Sequence, residues 1–282
     1  MHPDPAPRRH RAARPGSAVP GRSLRRCRPP RRAVQRDRNR PCGSPPVSLA
    51  VVTGGTRGIG RAVSLRLADD GHDVVALATA MPPEPLPGVA ARICDISDED
   101  QVVSVFCDIG DVDILVNNAG VASSNPLART TLAEWERCLA VNATGSFLCA
   151  RAVIGAMLRR DSGRIVTVAS SAAVEGGPYI AAYAASKHAV LGLMRVVAAE
   201  VAGTGVTANT VCPTYVRTDM TVATIANISA RTGVSLSDAE AKLAETTPHN
   251  RIIEVAEVAE TVLGVIATDH NGREILLDGR PS

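Results

Sequence analysis

An apolar run over residues 47–52 ends in Thr53-Gly54-Gly55-Thr56-Arg57-Gly58-Ile59-Gly60 and passes directly into Arg61-Ala62-Val63-Ser64-Leu65-Arg66-Leu67-Ala68. Apolar residues at 59, 63 and 67 recur at helical spacing. This order of strand, glycine turn and helix constrains the fold more than any other feature of the chain. Glycines let the backbone bend tightly and approach a ligand. A helix mouth adds free N–H groups and the positive end of a dipole, which together receive a phosphate. A dinucleotide is the expected ligand, held by Gly54, Thr56, Arg57, Gly58, Ile59 and Gly60.

From Val47 onward short apolar runs alternate with amphipathic segments, the pattern of a parallel sheet covered by helices on both faces. Strands are expected at about 47–52, 73–78, 91–94, 113–116, 164–169, 206–210 and 274–277. Ile-Leu-Val at 114–116 and Ile-Val-Thr-Val at 165–168 read as strands buried on both faces. The fold class is therefore α/β, and a length of 282 residues allows one large domain over 47–282. Residues 1–46 hold ten of the nineteen prolines, thirteen Arg and only two acids. They can bury no core and are expected to be a disordered extension, or the product of a start assigned too early with the native one near Val47. Their +11 conceals a body of 18 basic and 26 acidic residues, −8, which disfavours nucleic-acid binding. Seven cysteines (27, 42, 94, 107, 138, 149, 212) form no C-x-x-C pair and no zinc-spaced cluster with His. No metal is expected, and a reducing cytoplasm suits these thiols. No apolar run reaches the ~18–20 residues of a membrane span, so no membrane partner is expected.

Tyr183-Ala184-Ala185-Ser186-Lys187 places a phenol and an ammonium on one helix face. Ser170 lies thirteen residues upstream, at the end of the fifth strand, and Asn117-Asn118-Ala119-Gly120 follows the fourth. All would gather at the carboxyl edge of the sheet, where open α/β folds bind ligands.

The G-x-x-x-G-x-G spacing and the Ser170, Tyr183 and Lys187 arrangement together resemble the short-chain dehydrogenase/reductase family, over about residues 47–280. The resemblance implies a single Rossmann-like, doubly wound, parallel seven-stranded sheet. It also implies that Tyr183 exchanges the proton, with Lys187 and the positive nicotinamide ring favouring the phenolate, and that Ser170 bonds the substrate oxygen. Ser171 is the neighbouring alternative, set aside because its side chain would leave the opposite face of a continuing strand. Asn142 corresponds to the family's helix-four Asn that holds a water linking Lys to solvent. Asn117, Ala119 and Gly120 shape the cofactor cleft, while Pro213, Val216 and Thr218 contact the nicotinamide amide. Thr214 replaces the usual Gly there, which is expected to restrict the backbone at that turn. Asp95 corresponds to an adenine-contacting acid, although a helix-cap role fits it equally. Ala78 stands where NAD-preferring relatives carry Asp. With Thr79 and Arg57 this favours NADP(H), leaving NAD(H) as the alternative.

The leading expectation is NADP(H)-dependent reduction of a ketone, a 3-oxoacyl thioester or other apolar carbonyl, to a secondary alcohol. NAD-dependent oxidation of a secondary alcohol or 3-hydroxyacyl compound and a non-catalytic dinucleotide sensor are the competing readings. Substrate choice is assigned to a helix-rich lid at about 219–250 with an apolar inner face of Val222, Ile225, Ile228, Val234 and Leu236. A homodimer or homotetramer through long helices near 131–159 and 181–201 follows from the resemblance. Four prolines within 81–88 displace the helix otherwise expected after the second strand.

Overall fold

Valine- and isoleucine-rich runs too short for a helix form seven strands in the computed structural model, which describes residues 47–280. The expected extension at 1–46 lies outside the described residues. The strands are β1 (Leu49–Thr53), β2 (Asp73–Ala78), β3 (Val89–Ile93), β4 (Ile114–Asn117), β5 (Gly163–Val168), β6 (Val206–Pro213) and β7 (Glu274–Leu277). They pair in parallel in the order β3-β2-β1-β4-β5-β6-β7. β6 runs three residues beyond the expected end because Cys212 and Pro213 continue in register with Leu276 and Leu277 of β7.

The helices are α1 (Gly58–Asp69), α2 (Glu99–Ile109), α3 (Leu132–Cys138), α4 (Gly145–Arg160), α5 (Ala181–Glu200), α6 (Asp219–Thr232), α7 (Leu236–Glu245) and α8 (Val255–Ile266). Alternate strand residues feed two separate cores. Val51, Leu77, Leu115 and Ile165 pack with Phe106 of α2, Met157 of α4 and Met194 of α5. Val52, Val116 and Val166 pack on the other face with Val63 and Leu67 of α1 and Val258 and Val262 of α8. The sheet is thus doubly wound, as expected, and residues 81–88 contain no helix. The strand order reverses between β1 and β4, so the crevice beyond their carboxyl ends is where such a sheet takes a ligand.

Three local features position what lies in that crevice. A capping box between Thr131 and Glu134 starts α3. A π-helical segment, Leu139–Thr144, then joins α3 to α4 in one run of 29 residues, long and apolar enough on composition to cross a membrane. Its face toward the sheet, including Leu148, Cys149, Val153 and Met157, is buried in the core. The segment expected to be a lid contains α6 and α7, packed around Ile225, Ala239, Leu243 and Ile252 with Ile228 and Val234 against them. Of the residues expected on its inner face, Val222 and Leu236 stand apart at 61% and 60% exposed. α7 meets α6 along the Ala239 and Leu243 stripe, and both outlying residues sit in first turns beyond that contact.

Candidate active site

The glycine turn closes tightly on itself. A Cβ on Gly60 would lie 2.2 Å from the Gly54 carbonyl oxygen and 2.4 Å from the Asn118 amide nitrogen, so no other residue fits there. Gly54 and Gly58 take φ of +62° and +50°, a region that side chains disfavour. The mouth of α1 is left open: its N-cap, Arg57, makes no side-chain cap bond, and no acid stands in the first turn. Those features fit the diphosphate of a dinucleotide, for which the mouth provides unopposed N–H groups and a positive dipole end. Thr56 and Ile59 flank the turn partly exposed, and the exposed Arg57 guanidinium has no carboxylate partner among the described residues. Thr79 is exposed immediately beyond β2.

The loop after β4 is fastened to this turn by side chains that spacing alone does not single out. Thr53 Oγ1 accepts from the backbone N–H groups of Asn118 and Ala119 at 2.9 and 3.0 Å. The Asn118 amide in turn donates to the Thr53 carbonyl at 2.9 Å and the Gly54 carbonyl at 3.3 Å. Asn117 has a different place from its neighbour. It is 2% exposed within the sheet and donates to Thr167 Oγ1 at 3.4 Å, so the contact with the glycine turn falls to Asn118. Asp95 Oδ1 accepts from the Ser97 N–H and hydroxyl at 2.9 and 2.7 Å, while the cap of α2 is Asp98. The cap reading of Asp95 is therefore wrong by three residues.

Across the crevice the chain leaves β5 at Val168, and Ser170 becomes the N-cap of a single 3-10 turn, Ser171–Ala173. Because the strand stops first, alternation does not decide between Ser170 and Ser171. Electrostatics does: Ser170 is the serine whose side chain lowers the Tyr183 pKa. Tyr183 and Lys187 lie on the first two turns of α5, with the ammonium 5.8 Å from the phenol ring centre. Lys187 Nζ donates to the Val168 carbonyl at 3.1 Å and lies 3.6 Å from the place a Cβ would take on Gly120. Ala119, next in chain, has its Cα 3.0 Å from the corresponding point on Gly54. The Ser-Tyr-Lys cluster and the glycine turn are thus joined through Asn118-Ala119-Gly120.

The electrostatics differ from the simple expectation of an acidified phenol. Burial pushes the Tyr183 pKa above its usual value, and the Ser170 hydrogen bond opposes this only in part. Burial also lowers Lys187 to about 8. In the protein alone, desolvation outweighs the neighbouring cation. Cys212, 2% exposed at the end of β6, lies beside this pair and is likewise pushed up by burial. Asn142 sits in the π-helical segment, 1% exposed. π-bulges inside longer helices are frequent at functional sites. Pro213 at the end of β6 and Val216 past it are buried, and the methyl carbon of Thr218 lies 3.4 Å from the Cβ position on Gly58. Thr214 has no positive φ and bonds the Leu277 carbonyl at 3.0 Å, so this turn takes threonine without the restriction expected of it.

A dinucleotide cradle and a Ser-Tyr-Lys cluster on one sheet edge define a nicotinamide-dependent oxidoreductase of the CH–OH/C=O type. The family model for short chain dehydrogenase matches residues 48–228, and the chain belongs to that family. It is 38% identical over 187 residues to a 3-oxoacyl-[acyl-carrier-protein] reductase of Synechocystis sp., covering 61% of this chain and 76% of that one. It is 31% identical over 250 residues to a D-beta-hydroxybutyrate dehydrogenase of Rhizobium meliloti, covering 82% and 96%. A crystal structure of an actinorhodin polyketide ketoreductase variant with NADPH superposes with a TM-score of 0.75 at 32% identity, covering 83% of this chain and 97% of that one.

Proposed function

We propose that the enzyme reduces an apolar ketone to a secondary alcohol with NADP(H). The observation that carries this reading is Tyr183 set beside both the Ser170 side chain, which lowers its pKa, and the Lys187 ammonium, 5.8 Å from its ring centre. The nicotinamide supplies hydride to the carbonyl carbon when bound. Ser170 donates a hydrogen bond to the substrate oxygen as charge builds on it, a role whose loss typically costs ~10²–10³ in rate. Tyr183 holds the proton that this oxygen receives; burial pushes its pKa up, and the Ser170 side chain opposes that push. Asn142 keeps the segment facing Lys187 in place, and Lys187 holds the cofactor against the pair.

NADP(H) is supported by the unpaired Arg57, exposed Thr79 and the absence of an acid at Ala78. An apolar substrate is supported by the residues left exposed on the segments after β5 and β6: Val174, Tyr179, Tyr215, Met220 and Val222. We further assign the whole described chain to one domain, the lid to substrate choice, and the enzyme to the cytoplasm, where its four buried free thiols at 94, 138, 149 and 212 stay reduced.

The test is a panel of ketones and alcohols run with each cofactor on the wild type, Tyr183→Phe and Arg57→Ala. Ketone turnover with NADPH, lost in Tyr183→Phe without loss of cofactor affinity, is expected. Arg57→Ala should weaken NADPH about tenfold or more and leave NADH unchanged, the cost of one charge-assisted bond. Turnover of alcohols with NAD alone, or an active Tyr183→Phe, overturns the reading.

A further inference from the structure

The side chain of Ser186 is fully buried, one residue before Lys187, and is used by no step described above. Its partners are fixed by chemistry. Val121 N–H can only donate and bonds Asn142 Oδ1 at 2.8 Å. The Val121 carbonyl can only accept and takes a hydrogen from Asn142 Nδ2 at 2.9 Å. These two bonds settle which end of the Asn142 amide is nitrogen. Its second N–H then points to Ser186 Oγ, at 2.8 Å. The Tyr183 carbonyl can only accept, so Ser186 spends its own hydrogen there, at 2.7 Å. A directed chain results, from Val121 through Asn142 and Ser186 to the backbone of Tyr183.

A serine inside a helix commonly bonds the carbonyl three or four residues back, so the contact with Tyr183 alone would mean little. The bond from Asn142 is another matter, because it spans 44 residues and joins three elements. Val121 follows the loop fastened to the glycine turn, Asn142 belongs to the π-helical segment, and Ser186 stands on the first turns of α5. Asn142 also places its carbonyl to accept from Ser146 Oγ at 2.7 Å, so the segment is held from both sides.

We propose that Ser186 is a positioning residue whose hydroxyl ties the Asn142 amide to the Tyr183 carbonyl and so fixes the helical turn that carries the phenol. It touches neither substrate nor cofactor. Loosening that turn displaces the phenol relative to Ser170, whose side chain favours the phenolate.

The chain has three tyrosines, so ring-labelled tyrosine NMR resolves them and Tyr183→Phe assigns the signal of interest. In Ser186→Ala the ionisation midpoint of Tyr183 should rise by about half a pH unit or more, a threefold change in its proton affinity. Turnover should fall about tenfold with cofactor KM within twofold, since small misplacements of a reacting group are costly. Ser186→Thr, which keeps the hydroxyl, should restore both. An unmoved midpoint, or a threonine variant as impaired as alanine, overturns the proposal. The kinetic arm rests on the reductase reading, whereas the titration does not. A shifted midpoint in an enzyme that reduces no ketone upholds Ser186 and defeats the reductase. If Ser186→Ala does not fold, Ser186→Cys fills the site with a weak donor and acceptor and must show the same shift; wild-type behaviour there overturns the proposal.

Discussion

Lys187 carries an ammonium into a site where it is 6% exposed, with one carbonyl, that of Val168, to receive it. Burial lowers its pKa from the ordinary 10.5 to about 8. Below pH 8 the lysine is charged in both the folded and unfolded chain, and the folded state bears the whole desolvation cost. Between about 8 and 10.5 the folded chain has given up that proton while the unfolded chain retains it, so the cost fades as pH rises. Lys187→Met should therefore abolish turnover yet stabilise the fold at pH 7, by up to about 3 kcal/mol from the pKa displacement. The gain should shrink above pH 8. Denaturant melts of both proteins at pH 7 and pH 9.5 check this, and a variant less stable at pH 7 would show that the Val168 bond outweighs desolvation. Ser170, Tyr183 and Lys187 are legible in sequence because donor type and chain spacing alone bring them together. Asn118, Ser186 and Cys212 are not, since each has its role through partners on other elements. In the protein alone, burial outweighs the Lys187 side of the expectation of an acidified phenol, because spacing records the neighbouring cation but not the depth of burial.

Between the segment after β6 and the α6–α7 pair proposed as a lid stands one guanidinium. Arg217 bonds Glu240 of α7 through one nitrogen and Glu254, the N-cap of α8, through another, each at 2.9 Å. Its backbone N–H bonds the Ile253 carbonyl at 2.8 Å, so the residue is anchored to the body while its side chain reaches the lid. All three side chains are between 39% and 54% exposed, and exposed pairs of this kind contribute about 0–1 kcal/mol each. That is too little to hold the whole fold and enough to bias local opening of one helix pair. Glu240→Gln should leave the global melting temperature within about 2 °C of wild type. Amide hydrogen exchange across α6 and α7 should nevertheless quicken, with the difference fading at high salt. Unchanged exchange would mean that Ile225, Ala239 and Leu243 hold the lid unaided. The helices α6 and α7 are legible in their periodicity, but their packed face is not. Val222 and Leu236 fit the periodic stripe and still lie outside the contact, because the stripe does not say where the partner helix begins.

The architecture as a whole follows from runs such as 114–116 and 165–168, apolar on both sides and so destined for the middle of a covered sheet. Two full cores, one on each face, satisfy that requirement within a single chain. They leave one helical surface without a cover. On α4, Phe147 and Leu158 are 42% and 39% exposed, and on α5 Val196 is 55% exposed, with Ala189, Gly192 and Ala199 open around it. A Cβ on Gly192 would meet nothing, so a second helix can come close there. Arg151, stacked over Phe147 at 5.1 Å and paired with Glu99, gives this face a polar rim. Small residues flanked by larger apolar ones suit close helix packing against another copy, and a stable pair would need about 800 Å² from each partner. We expect a homodimer or a homotetramer built on this surface. Sedimentation velocity should show it in the wild type, and Leu158→Glu with Val196→Glu should shift the protein to monomer, since each places a charge where the partner would exclude water. The single-chain fold should survive, because neither residue belongs to the two cores. A wild type that sediments as a monomer at micromolar concentration would show that α4 and α5 face solvent as they are.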